Sequence, residues 1–374
     1  MPEVLFALSD EQAELAGMVR DLLRKRSGSQ AVRKAVEQPK GFDESLWAVL
    51  CEQVGVAALA IPEEYGGAGF TLFETHVVLE ELGAALTPSP LLGSGVLAAQ
   101  ALLLAGDEAS CADLLPGIAA GTSVAALAWA GEAGRWSTGR LPVSASQTEG
   151  SWSVDGSSAF VLDGDYADVL LVLADAPSGP GLFRVDPEQP GVRRTASPSM
   201  DQTIRLAGVE LESAEATLVS ADAGAFLPTL RDIACSAVSS LQVGAAQRCL
   251  DMTVSYAKER VQFGRPIGSF QALKHRMADM LVEVETARSA SWAAAWSAAQ
   301  RDDELAPRAA AAKAWCSEAF NAVAAETVQL HGGIAITWEH DAHLYFKRAH
   351  ATSQLFGQPR EHRRRLEELW LPAS

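Results

Sequence analysis

From about Leu230 to the C-terminus one periodicity dominates the chain: apolar and small residues recur at three- and four-residue steps. Ala234, Ala237, Val238, Leu241, Ala245, Cys249, Met252 and Tyr256 fall on one face of a single long helix. The pattern returns over about 271–301, 307–329 and 344–369. Consecutive amphipathic helices bury their apolar stripes against one another, which predicts a helical bundle. Two breaks in the pattern are chemically loaded. Tyr256–Gln271 reads YAKERVQFGRPIGSFQ, and Gln329–Glu339 reads QLHGGIAITWE. Glycine breaks at helix ends expose backbone N–H groups, and an arginine beside them adds a permanent positive charge. That combination suits a diphosphate.

Two other textures precede the bundle. Residues 1–120 read as a helical domain. Ser9 is placed as the N-cap of a first helix reaching about Arg26, and further helices are expected over about 43–54, 72–82 and 91–105. The glycine-rich run Pro62-Glu63-Glu64-Tyr65-Gly66-Gly67-Ala68-Gly69 is a tight interhelical turn. Residues 121–220 alternate short apolar runs (124–129, 152–154, 169–173, 181–185, 203–206) with the turn signals Asp155-Gly156 and Asp163-Gly164, as a small β domain does. The remainder, 221–374, is the bundle. The expected class is α+β, mainly α.

With a net charge of −17, broad attraction to nucleic acid or an anionic membrane is not expected, and an anionic ligand needs a local basic site. The opening MPEVLFALSDEQ lacks the basic and apolar regions of a signal peptide, and no run reaches the length of a membrane span. Five scattered cysteines without a C-x-x-C pair fit reduced thiols and a cytoplasmic setting, with no structural zinc. Glu339, His340 and His343 offer no third metal ligand beyond the helical pair of histidines. The basic run Arg360–Arg365 reads as a solvated face. No G-x-G-x-x-G or P-loop pattern occurs.

Both loaded breaks resemble FAD-contacting signatures of the acyl-CoA dehydrogenase family, as does the loop P-E-E-Y-G-G-A-G, and the order helical domain, β domain, bundle is that family's order. The resemblance implies FAD. It places Arg260, Gln262 and Phe263 in an R-x-x-F-G segment reaching a neighbouring subunit's FAD, and Gln271 on its adenylate part. Gln329, Gly332 and Gly333 fall in a Q-x-x-G-G turn, where glycine lets backbone approach phosphate. The plainer alternative is a helix ending in Gly-Gly with Arg260 paired to Glu259.

The same resemblance exposes departures. The family abstracts the substrate's α-proton with a carboxylate at one of two positions, and here these fall on Gly357 and Ala234. Neither moves a proton. Asp232, two residues before Ala234, reads as a helix N-cap rather than a base. In the β domain, Ala128-Trp129-Ala130-Gly131-Glu132 and Ala159–Gly164 stand where flavin-ring contacts belong, with Leu162 in place of a hydroxyl. A degraded home site beside a retained cross-subunit arm resembles the base-lacking chain of heterotetrameric (α2β2) bacterial acyl-CoA dehydrogenases, associated with sterol side-chain breakdown. That implies an acyl-CoA substrate, a second dehydrogenase-like subunit as partner, and an electron-transfer flavoprotein or similar acceptor. Two other readings stand beside it. One is a self-sufficient homo-oligomer with a displaced base, Asp232 or Glu339. The other is a flavin-free structural or acyl-CoA-binding relative.

Overall fold

The computed structural model describes residues 7–131, 136 and 140–371. Glu132 therefore lies outside the described residues. Helix α1 (Asp10–Arg26) begins at the expected cap: the Ser9 hydroxyl accepts the Gln12 N–H while the Gln12 side chain accepts the Ser9 N–H. A short α2 (Ser29–Val36) follows, which the sequence pattern does not signal. Helix α3 (Glu44–Val49), capped by Asp43, widens into a π-helical turn over Leu50–Val54. Thr71 and Glu74 form a second reciprocal cap on α4 (Leu72–Ala84).

The stretch expected as one helix over 91–105 is π-helical over Leu91–Ala98 and regular only in α5 (Ala99–Ala105). Close approach to the neighbouring sheet accompanies the widening. A Cβ at Gly93 would lie 2.5 Å from the Asp163 carboxylate and 2.9 Å from Leu162. Helix α6 (Glu108–Ala119), also absent from the expected set, completes this layer.

Strands β1 (Ala125–Ala128), β2 (Val143–Thr148), β3 (Ser151–Leu162), β4 (Val169–Ala176), β5 (Gly179–Val185), β6 (Val192–Ala196) and β7 (Leu206–Ser220) form one seven-stranded sheet. Its order is β1-β4-β2-β3-β7-β5, with β6 on β7; β5 also pairs with β4, so the sheet curls back on itself. Asp155-Gly156 is no turn: it lies inside β3, where the register with β7 shifts. Gly156 takes φ +138°, and a Cβ there would meet the Pro142 carbonyl at 2.6 Å, so the site admits only glycine. The run 203–206 is not a strand of its own either: only Leu206 is extended, as the first residue of β7. Thr203 turns back on Asp201, its N–H and hydroxyl both donating to one carboxylate oxygen.

The bundle opens with α7 (Leu227–Glu259), followed by a hairpin of β8 (Val261–Gln262) and β9 (Arg265–Pro266). Then come α8 (Gln271–Gln300), α9 (Leu305–His331), α10 (Ala342–Gln354) and α11 (Pro359–Trp370). Helix α7 packs on α8, α9 and α4. At the α4 crossing a Cβ on Gly244 would fall 1.7 Å from the Glu80 carbonyl, so the backbones nearly touch. The single helix expected over 344–369 is two. Phe356 (φ +62°) and Gly357 (φ +108°) break it, and Pro359 starts the next. Among the described residues no helix is long and apolar enough to cross a membrane.

Candidate active site

Two regions gather the residues singled out above. The first is the end of the bundle where α7 and α9 both stop. Tyr256, in the last turn of α7, stacks on His331, the last residue of α9, with ring centroids 4.4 Å apart. That contact brings the hairpin segment and the Gly-Gly turn to the same end.

Arg260 caps α7 by its backbone N–H and is exposed. The expected alternative, an ion pair with Glu259, is not formed, and no ion pair involves Arg260 among the described residues. Gln262 lies in the hairpin opposite Arg265, and Phe263 is 92% exposed in a left-handed conformation (φ +53°). A phenylalanine held out in this way stores strain and surrenders burial, which marks a residue waiting for a partner surface. Gln271 is the first residue of α8, and Gln329 is exposed near the end of α9. Gly332 takes φ +67°, and around both Gly332 and Gly333 a Cβ would meet nothing within 4 Å. The turn is open to a ligand.

Beside it His340 faces His331 at 4.5 Å and accepts the Ala342 N–H on Nδ1, while Trp338 packs edge-on to His343 between the cations of Arg33 and Lys347. No metal-binding group of three occurs among the described residues. Glu339 is exposed here.

The second region is the junction of β3, α7 and the α10–α11 turn. Ala234 is fully buried. Asp232 is not an N-cap: it is the sixth residue of α7, whose first turn carries no side-chain cap and has a proline, Pro228, as its second residue. Both its oxygens are taken by Arg365, at 2.5 and 2.6 Å, and Arg231 adds a third contact at 3.2 Å. Arg365 is thus no part of a solvated face; its side chain is only 15% exposed. A carboxylate clamped by a bidentate guanidinium has both oxygens committed to that ion pair.

Gly357, one of the two positions to which the resemblance assigns the base, has no room for a side chain. A Cβ there would lie 2.9 Å from His362 Nε2, and φ +108° is strained for any side chain. The turn is held by Lys313, a residue the sequence reading missed. Its ammonium, fully buried, donates to Ser317 Oγ (3.0 Å), the Ser353 carbonyl (3.1 Å) and the Gly357 carbonyl (3.0 Å). Burial pulls its pKa down to about 8. His362 donates from Nε2 to the Phe356 carbonyl at 3.0 Å; burial and the nearby Lys313 push its pKa down to about 3.

Around Phe356 an aromatic stack closes the space: Trp129 lies 4.7 Å from Trp136 and 5.2 Å from Phe356. Leu162, which the resemblance sets in place of a hydroxyl, is buried against Gly93. Next to it the Asp163 carboxyl, reached by the Tyr166 hydroxyl at 2.5 Å, is pushed up to about 7 by burial.

The chain matches the acyl-CoA dehydrogenase N-terminal domain over residues 9–122 and the acyl-CoA dehydrogenase C-terminal domain over 236–368. It belongs to the acyl-CoA dehydrogenase family, oxidoreductases of the CH–CH bond in acyl-CoA thioesters, and FAD is the cofactor this membership implies. It is 45% identical over 365 residues to acyl-CoA dehydrogenase IpdE2 of Mycolicibacterium smegmatis, covering 96% of this chain and 99% of that one. Among solved structures it resembles the ChsE4-ChsE5 complex from Mycobacterium tuberculosis at a TM-score of 0.89 and 32% identity, covering 98% of this chain and 100% of that chain. It also resembles a variant of the Tcur3481-Tcur3483 steroid ACAD at a TM-score of 0.87 and 32% identity, covering 96% of this chain and 97% of that chain.

Proposed function

We propose that this chain is the base-lacking subunit of a hetero-oligomeric acyl-CoA dehydrogenase, working on a ring-containing acyl-CoA of the steroid type. The observation that carries the reading is Gly357. A glycine at φ +108°, with His362 at its back and Lys313 on its carbonyl, leaves no room for the carboxylate that α-proton abstraction needs. Ala234, buried in α7, closes the second position. We take 1–120, 121–220 and 221–374 as the working domains.

The residues present fit the tail of FAD and disfavour its ring. Arg260, exposed and unpaired among the described residues, supplies charge to a diphosphate, and the open Gly332-Gly333 turn lets backbone N–H groups approach it. Gln262, Gln271 and Gln329 offer amides beside it, and Phe263 reaches into the partner. Bound FAD supplies the hydride acceptor. This chain positions its tail, while the partner provides the base and the ring's surroundings. Two of the similar solved structures carry paired names, ChsE4-ChsE5 and Tcur3481-Tcur3483, in keeping with a two-chain assembly, and an electron-transfer flavoprotein is the acceptor class the reading assigns.

Exposed Val261, Phe263, Ile336 and Trp338 at this end of the bundle give the partner an apolar surface. The displaced-base alternative loses its first candidate to the Asp232–Arg365 pair and leaves only exposed Glu339.

The test is anaerobic flavin bleaching by a steroid-type acyl-CoA. The chain alone, reconstituted with FAD, should be slower than the complex by about 10²–10⁴-fold. Bleaching at the complex's rate by the isolated chain would overturn the two-subunit reading.

A further inference from the structure

Where the N-terminal helices sit on the bundle, the chain encloses a cavity of 840 Å³, within the size range that takes a small organic molecule. Neither the Gly332-Gly333 turn nor Gly357 borders it. One wall is α1, with Arg20 and Arg24; the facing wall is α7 and α10, with Arg248, Asp251 and Tyr345. Tyr345 ties the two sides together by donating to the Ala84 carbonyl at 2.6 Å.

The inner lining is apolar: Leu23, Val32 and Leu86, each at most 4% exposed. Leu86 is costly to place. It stands just beyond the C-cap of α4 at φ +51°, where its N–H reaches the Gly83 carbonyl and the Thr87 N–H reaches Leu82. That helix ending ordinarily takes glycine, which adopts the left-handed conformation without penalty. A leucine kept there gives the cavity an apolar floor that glycine would not.

Four arginines and four carboxylates line the cavity, and their pairing decides what can enter. Glu81 accepts from Arg20 at 2.5 and 3.0 Å, and Glu80 accepts from Arg288 and, at 3.1 Å, from Trp292. Asp341 is held by Ser29 and Arg33 at 2.6 and 2.7 Å. Asp251 has the Gln247 amide at 2.9 Å and no guanidinium. Among the cations, Arg248 is exposed and makes no ion pair among the described residues. Arg24 pairs with Asp21 at 3.1 Å, outside the cavity, and both side chains are exposed. Such a surface pair holds an arginine weakly. One guanidinium on each wall is therefore left for an occupant, against a single carboxylate. In a chain of net charge −17 these two supply the local basic site that an anion needs.

We propose that this cavity binds an anionic amphiphile, its carboxylate or phosphate monoester head between Arg24 and Arg248 and its apolar body on Leu23, Val32 and Leu86. Guanidinium forks match either oxyanion. The site spans the joint between two domains, so the occupant clamps α1 to α7 and stabilises the chain only while the two are docked. It stands apart from the base-lacking reading, and its test needs neither partner nor flavin.

The probes are decanoate and decyl phosphate below their micellar concentrations, titrated by calorimetry into the full chain. The expected result is saturable binding of one molecule per chain, at least about tenfold tighter than decanol or decyltrimethylammonium. The tighter of the two anions identifies the head group. Arg248→Ala should weaken that anion at least about tenfold, and adding Arg24→Ala should abolish binding. Both side chains are exposed, so the fold should be kept, and unfolding curves check this. Asp251→Asn should tighten binding by up to about fivefold. The bound anion should raise the melting temperature of wild type and leave that of the double arginine variant unmoved. Absence of saturable binding by both anions, equal binding of the uncharged or cationic amphiphile, or affinity undiminished in the double variant would each overturn the proposal.

Discussion

The two ends of the bundle treat their polar groups in opposite ways. At the α7–α9 end, Arg260 has no ion-pair partner among the described residues, Phe263 is 92% exposed, and the glycine turn faces open space. At the α10–α11 turn the charged groups are engaged within the chain, Asp232 with Arg365 and Lys313 with Ser317 and two carbonyls, and Trp129 packs on Trp136 and Phe356, although Trp129 Nε1 and His362 Nδ1 are buried without a hydrogen-bond partner among the described residues. A site that spends its polar groups on itself is structure, and one that leaves them over is prepared for something else. On the proposed reading, the second region corresponds to the base position of the family, and its contacts serve stability.

The contrast breaks if changes at the closed end alter flavin content, or if changes at the open end alter stability. The largest effect is expected at Asp232. Asp232→Asn leaves Arg365 without its buried partner and should destabilise the fold by about 3–5 kcal/mol in denaturant unfolding, with flavin per folded complex unchanged. Arg365→Met added to it should recover part of that loss, whereas a base at Asp232 would show as lost turnover in the folded variant.

Lys313 comes next, through pH. Its folded pKa of about 8 lies below the ordinary 10.5, so between these values the unfolded chain binds the extra proton and stability rises with pH. Wild type should gain up to about 3 kcal/mol across that window relative to Lys313→Met, measured as the difference between their unfolding curves. Parallel curves would mean that the ammonium stays charged at its three partners.

Arg260→Ala tests the open end. Loss of a charge-assisted contact to the FAD diphosphate should weaken flavin retention in the complex by about 1.5–3 kcal/mol, with the melting temperature of the flavin-free chain unmoved. Full flavin after dialysis would remove Arg260 from the site.

The smallest effect is at Gly357. Gly357→Ala meets both φ +108° and His362 Nε2, and should cost about 1–3 kcal/mol without creating activity. A variant as stable as wild type would show that the turn relaxes readily, and would reopen this position to a side chain.

Much of the helical framework and of the open end was legible because the signals are local. The cap at Ser9, the face running from Ala234 to Tyr256 and the glycine breaks after α7 and α9 each depend on residues three or four positions apart. The errors share the opposite property. Asp232 looked like a cap because aspartate often is one, while its partner Arg365 stands 133 residues later. Arg360–Arg365 looked solvated for the same reason. The one trace of Lys313 was a lone lysine in the alanine-rich run before Trp315, and nothing near it in sequence names Ser353 or Gly357.

By itself, the sequence determined the order of helical, β and helical regions and the family, and it pointed to Gly357 and Ala234 as the positions to inspect for a base, because periodicity and motif spacing are properties of neighbouring residues. Only the tertiary structure decided whether those positions were vacant or filled. That choice is made by packing between segments far apart in the chain. Burial strips water from Lys313, Asp232 and His362 alike, so each needs compensation from whatever the fold brings within hydrogen-bonding distance.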